Sequence, residues 1–172
     1  YHHSMVFEWH QFFKDSIKAF TLLPQHLICQ KPITIMSRKP LANQVGFFKW
    51  NPSKQKWDFE RSALNSQGLS YISTRDLGYY AFLKDTIPPK IQFLEEDKKS
   101  KYLTVLLLDD LSDINDERNF SIYAGDRKLI GEWDFEEKTV KIRKIDIMKG
   151  ELIKIEVWDQ LGNRAKHQWI WR

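Results

Sequence analysis

Five acidic side chains fall within residues 109–117: Asp109, Asp110, Asp113, Asp116 and Glu117. Asp159 and Asn163 sit together further along. Oxygen ligands at that density suggest a hard cation. Ca2+ takes about six to eight oxygens, and carboxylates on the end loops of a β-sandwich can supply them. Asp109, Asp110, Asp113 and Asp159 are therefore the candidate calcium ligands. The run lacks the spaced Asp-x-Asp-x-Asp-Gly pattern of the strongest calcium loop. The same residues also read as turn formers, whose short side chains accept hydrogen bonds from nearby backbone N–H groups.

A second constellation mixes charge with aromatic rings. Trp50 and Trp57 flank residues 51–56, and Lys49, Lys54 and Lys56 stand beside them. Exposed rings with cations around them can stack on and neutralise an anionic glycan, ahead of single-stranded nucleic acid. Strand alternation places Lys49 and Trp50 on opposite faces, and likewise Lys56 and Trp57. The site therefore requires at least one ring to reach solvent.

No reaction is announced. The histidines are at positions 2, 3, 10, 26 and 167, with neither His-x-His nor His-Glu-x-x-His among them. A zinc site needs three or four ligands in tetrahedral reach. There is no Gly-x-Ser-x-Gly and no glycine-rich phosphate loop. Paired carboxylates for glycoside hydrolysis have no marked candidates. The expectation is a chain without catalysis of its own. Cys29 is the single cysteine, so no intrachain disulfide can form, and its apolar setting predicts a buried, inert thiol.

The elements that must position these residues read as strands. In the first half, strands are predicted over 17–23, 32–36, 45–50, 57–60, 69–73 and 78–83, with residues 5–13 ambiguous between helix and strand. In the second half they are predicted over 91–93, 102–108, 120–123, 132–135, 139–142, 151–158 and 167–171. Turns fall at 51–56, 124–126, 136–138 and 159–163. Short strands at such spacing, with aromatics making up 14% of the chain, describe β-sandwiches. Pro88 and Pro89 form a stiff joint, because each fixes φ and lacks an N–H. Charge shifts across that joint. Residues 1–88 carry eleven Lys/Arg against six Asp/Glu, a net +5, whereas residues 89–172 carry sixteen against seventeen, a net −1. The predicted organisation is all-β: two tandem β-sandwich domains, 1–86 and 87–172, the second immunoglobulin-like. No run of apolar residues is long enough to span a membrane, and no signal peptide is visible. Tyr1-His2-His3-Ser4 reads either as an added tag or as the edge of a larger polypeptide.

From Asp85 onward the chain resembles a bacterial immunoglobulin-like module. The matching stretches are Asp85-Thr86-Ile87-Pro88-Pro89, Asp109-Asp110-Leu111-Ser112-Asp113-Ile114, Ala124-Gly125-Asp126-Arg127-Lys128-Leu129, and Val157-Trp158-Asp159-Gln160-Leu161-Gly162-Asn163. The first half resembles a β module that often precedes such domains, through Lys31-Pro32-Ile33-Thr34-Ile35, Gly46-Phe47-Phe48-Lys49-Trp50-Asn51 and Leu77-Gly78-Tyr79-Tyr80-Ala81-Phe82-Leu83. The tandem is similar to the C-terminal region of some lysostaphin-like zinc endopeptidases, exported enzymes that cut peptidoglycan cross-links. The zinc motifs of those enzymes are missing here. The resemblance implies an extracytoplasmic spacer, positioning or adhesion piece of a larger bacterial protein. Its partners would be the rest of its own polypeptide and cell-wall glycan, with no resident cofactor unless calcium binds. A carbohydrate-binding module is the competing expectation.

Overall fold

The computed structural model describes residues 7–12, 17–22, 28–94 and 99–172. Strands dominate, all sheet pairings are antiparallel, and no α-helix occurs among the described residues. Among the described residues no helix is long and apolar enough to cross a membrane. The chain divides into two compact units, Tyr1–Asp85 and Thr86–Arg172.

The first unit contains β1 (Phe7–Phe12), β2 (Ile17–Leu22), β3 (Ile28–Met36), β4 (Val45–Asn51), β5 (Lys56–Glu60), β6 (Ala63–Leu64), β7 (Ser70–Asp76) and β8 (Tyr79–Lys84). These form a five-stranded sheet, β1-β2-β8-β4-β5, and a three-stranded sheet, β3-β7-β6. Alternation sends Phe20, Leu22, Phe47 and Tyr80 of the larger sheet into one buried cluster with Ile35 and Ile72 of the smaller. Phe20 stacks on Tyr80 with centroids 5.9 Å apart, and Phe47 meets Phe82 at 4.6 Å. Tyr80 is fully buried, so its hydroxyl needs a partner: it donates to the Asp76 carbonyl at 2.8 Å.

β3 departs from the sequence reading. It begins at Ile28, four residues before the predicted start, and contains Pro32. A proline cannot donate to a ladder, and β3 tolerates it as an edge strand whose register shifts between Ile28 and Ile33. Cys29 lies on this irregular stretch and is half-buried, not sealed in a core as the sequence suggested. Its neighbour Ile28 is 75% exposed. The ambiguous residues 7–12 are a strand, and residues 5, 6 and 13 of that stretch lie outside the described residues.

The second unit contains β9 (Lys90–Phe93), β10 (Tyr102–Leu108), β11 (Phe120–Ala124), β12 (Arg127–Leu129), β13 (Gly131–Asp134), β14 (Thr139–Arg143), β15 (Leu152–Trp158) and β16 (Arg164–Ile170), with single 3-10 turns at Glu117–Asn119 and Lys144–Asp146. One sheet runs β13-β14-β10-β9 and the other β12-β11-β15-β16. The chain changes sheet between β10 and β11, between β12 and β13, and between β14 and β15. Leu103, Val105 and Leu107 alternate inward from β10, as Ile153, Ile155 and Val157 do from β15, and with Ile122, Val140 and Ile142 they fill one core. Trp133, Trp169 and Trp171 pack partly buried against it. The last strand starts at Arg164, three residues earlier than the sequence suggested, directly after the turn in which Gly162 takes φ +87°.

Gly131 opens β13 against this core. A Cβ there would stand 2.5 Å from Val140 Cγ1 and 2.8 Å from Ile122 Cδ1. Those atoms belong to fully buried branched side chains within the core. Gly131→Ala is expected to destabilise the protein by about 1–3 kcal/mol through overpacking. A denaturant midpoint equal to wild type would show that the core yields at this point.

Candidate functional site

The tryptophan hairpin forms as the sequence spacing suggests, but its charges and rings separate. In the β4–β5 ladder Trp50 stands opposite Trp57, Phe48 opposite Phe59, and Lys49 opposite Asp58. The two tryptophans meet edge-on at 5.4 Å, and so do Phe48 and Phe59. This is a two-rung aromatic ladder on one face of the five-stranded sheet, with both indoles half-buried. The lysines are elsewhere. Lys49 points toward the smaller sheet, where its Nζ lies 2.6 Å from Asp76 Oδ2 of β7. Lys56 lies 3.7 Å from Asp58 Oδ1, and Lys54 sits exposed in the turn. Asn51 shapes that turn: its Oδ1 accepts from the N–H groups of Ser53 and Lys54, and its Nδ2 donates to Asp58 Oδ2 at 2.7 Å. The proposed glycan site therefore keeps its two rings and does not gather Lys49 and Lys56 around them.

On the lysine side of the hairpin a polar group has assembled that the sequence analysis did not single out. Glu60 shares the parity of Lys56 and Asp58 and, across the ladder, of Lys49. Burial pushes the Glu60 carboxyl above its ordinary value of 4.5; Lys49 pulls it down, and Asp76 and Asp58 push it up again. Tyr80 is likewise pushed up to about 12, by burial first, with Glu60 and Asp76 adding to it. The alternation Lys56, Asp58, Glu60 was visible in the sequence. Asp76 comes from another strand and carries no local signal.

In the second unit the acidic residues mostly build turns. Asp109 Oδ1 accepts from the N–H groups of Leu111, Ser112 and Asp113, at 3.1, 2.7 and 2.8 Å. Asp116 Oδ1 caps the N–H of Arg118 at 2.8 Å. Asp159 is 2% exposed. Its Oδ1 accepts from Leu161 and Asn163 N–H, and its Oδ2 accepts from Asn163 Nδ2 at 2.7 Å. Asp110 instead faces Lys90 at 2.9 Å, and Asp113 faces Lys138 at 3.1 Å. Of the four candidate calcium ligands, the structure brings Asp109 and Asp159 together, with carboxylate oxygens within 4.8 Å. Both carboxylates already accept hydrogen bonds from N–H donors of their own turns. Asp85, whose N–H donates to the Gln44 carbonyl at 2.8 Å, is a buried acid at the end of the first unit.

Among the histidines, His167 rests against the Phe93 ring at 5.1 Å, and His10 falls on β1. His2, His3 and His26 lie outside the described residues. No known protein family matches the chain, and no curated protein or solved structure matches it.

Three outcomes follow from these geometries. Glu60 is protonated more readily in the fold than in the unfolded chain, so its contribution is fully present below its unfolded value near 4.5 and is lost as pH rises through the higher folded value. Glu60→Gln should therefore melt above wild type at neutral pH and converge with it in acid; equal melting at both pH values would remove the burial argument. Asp159→Ala leaves buried N–H donors unpaired and should cost about 1–3 kcal/mol. Calcium is expected to leave the melting temperature of the wild type unchanged. A calcium-dependent rise reversed by a chelator and lost in Asp159→Ala would instead assign Asp109 and Asp159 to a cation.

Proposed function

We propose that this chain is a non-catalytic positioning element of a larger exported bacterial protein, two all-β modules in tandem that space or attach a partner domain at the cell wall. The observation that carries the reading is the division into two units, each with its own hydrophobic cluster. Units with separate cores suit a spacer, because each resists unfolding without borrowing contacts from an enzyme. The strand order of the second unit supports the immunoglobulin-like assignment. Lettered in chain order with β12 taken as C′, its sheets read D-E-B-A and C′-C-F-G. That is the ABED and CFG arrangement of a constant-type immunoglobulin domain with one strand added beside C. The loop carboxylates hold turns and ion pairs, which supports a structural part for them. A cell-wall peptidase as the parent, and an extracytoplasmic location, rest on the resemblance described above.

The Trp50–Trp57 pair favours a second reading, a carbohydrate-binding module. Half-buried rings set edge-on offer part of an aromatic surface to a sugar face.

One experiment addresses both. The purified chain is incubated with peptidoglycan, and soluble products, co-sedimentation and tryptophan fluorescence are followed. The expected result is no release of fragments and retention on the wall. Reproducible turnover abolished by Glu60→Gln or Asp58→Asn would overturn the non-catalytic reading. A fluorescence change on glycan addition that disappears in a folded Trp57→Ala variant would move the assignment to carbohydrate binding at the hairpin.

A further inference from the structure

The outer face of the β12-β11-β15-β16 sheet gathers several basic side chains around a tyrosine. In register across the four strands stand Lys128, Tyr123, Lys154 and Gln168. One rung along the same face come Ser121, Glu156 and Lys166, and beyond them Trp158 and Arg164. The core fixes this orientation. Ile122 and Ala124, Ile153, Ile155 and Val157 point inward, so the residues between them point out.

Counter-charges are short on this face. Among the described residues its one carboxylate, Glu156, is already shared: Oε1 lies 3.2 Å from Arg164 Nη1 and 3.3 Å from Lys166 Nζ. Burial pushes that carboxyl up, but the bonds from Lys166 and Arg164 outweigh it and hold Glu156 below its ordinary value. Lys154 has Tyr123 on one side and Gln168 on the other, and neither can neutralise it. Lys128 lies beside Tyr123 at the edge. Neither lysine has a carboxylate partner among the described residues, and both are exposed. Elsewhere in the unit Lys90, Arg118, Arg127, Lys138, Lys141 and Arg143 each have one, and Lys101 and Lys149, outside this row, do not among the described residues. Adjacent strands are about 4.8 Å apart, so the two free ammonium groups spring from backbones about 10 Å apart, on either side of an exposed tyrosine. The same face holds a depression of about 460 Å3 whose lining includes Tyr123, Lys154, Glu156, Lys166 and Gln168 but not Lys128.

We propose that this face binds an acidic polysaccharide, with Tyr123 against a sugar ring and Lys128 and Lys154 on flanking carboxylate or sulfate groups. Charge complementarity sets the sign of the ligand. The surface sets its class. The backbone of these strands is paired within the sheet, so a peptide laid across this face finds no main-chain partners and would seek an edge instead. A polysaccharide needs none. Its hydroxyls can bond to Gln168 and Ser121, its ring lies flat on an aromatic face, and its charges repeat along the chain. The site extends the positioning reading by naming what the modules would attach to, and it uses neither Trp50 nor Trp57.

The test is titration of the full chain with polygalacturonate and with dextran sulfate, followed by calorimetry, with neutral dextran and polyglutamate alongside. The wild type is expected to bind at least one of the two acidic polysaccharides, more weakly as salt rises, and not to bind dextran. The double variant Lys128→Gln/Lys154→Gln should lose about tenfold in affinity, the scale of two exposed charge contacts. Tyr123→Ser should weaken polysaccharide binding. Lys101→Gln/Lys149→Gln, which removes equal charge from outside the row, and Trp57→Ala should leave it unchanged. Absence of binding by the wild type, or equal losses in the two lysine pairs, would overturn the proposal. So would tight binding of polyglutamate indifferent to Tyr123→Ser, which would mark a surface for acidic peptides. These substitutions lie on an exposed face, and unchanged circular dichroism melting confirms that a loss is a loss of contact. A loss seen only in Trp57→Ala would favour the hairpin and sink this face.

Discussion

The second unit depends on two facing rows of aliphatic side chains. Leu103, Val105 and Leu107 on β10 oppose Ile153, Ile155 and Val157 on β15, and each of these six is buried. Because strand side chains alternate with a period of two, sending these six inward fixes the direction of every residue between them. A register slip of one residue would turn Lys154 and Glu156 into the core and drive Ile153 and Ile155 into water. Burying an unpaired ammonium costs several kcal/mol at least, so the slip is strongly forbidden. The charged face and the apolar core are thus one fact seen from two sides. The first unit obeys the same constraint with aromatics: Phe47 and Tyr80 go in, and Phe48, Trp50, Phe59 and Trp57 share the other side.

That period explains which features the sequence revealed. Residues 102–108 read as a strand and form β10 without change, and the eight alternating residues from 151 match β15 within one position. The turn at Gly125 and Asp126 was legible because two residues with turn chemistry separate two strands. Parity within the Lys49–Trp57 hairpin was legible too. The partner that decides what a charged residue does was not. Lys49 is defined by Asp76, twenty-seven positions away, and Asp113 by Lys138. Nothing local to either residue announces the other. The row Lys128, Tyr123, Lys154 and Gln168 draws on four strands and is invisible as a motif. β3 was misread at its start because Pro32 argues against a strand interior, an argument that lapses at a sheet edge.

The acidic run illustrates how one residue type can support two chemistries. Five acids in nine positions look like a cation site if only ligand count is considered. In the fold, the backbone reaches them first. Asp109 gathers three N–H groups from the turn that follows it, and Asp159 closes its own turn through Leu161 and Asn163. A loop between strands leaves N–H groups without ladder partners, and a carboxylate two to four residues earlier is the nearest acceptor. Sequence density of Asp in a sandwich loop is therefore first a statement about turn closure. A cation claim needs oxygens that the turn has left over.

Net charge misleads for the same reason. Residues 89–172 sum to about neutral, which by itself argues against attraction to polyanions. The sum hides a separation. Asp109, Asp116 and Asp159 are held in loops by backbone donors, and Asp110, Asp113 and Glu151 are held by neighbouring cations. Carboxylates tied down in this way cannot reach across the sheet to Lys128 and Lys154. Screening in salt confines exposed charges to about 10 Å of influence, so an approaching polymer feels the face it meets and not the total. A unit that is close to neutral as a sum can present one positive face where the acids nearest to it are committed by geometry.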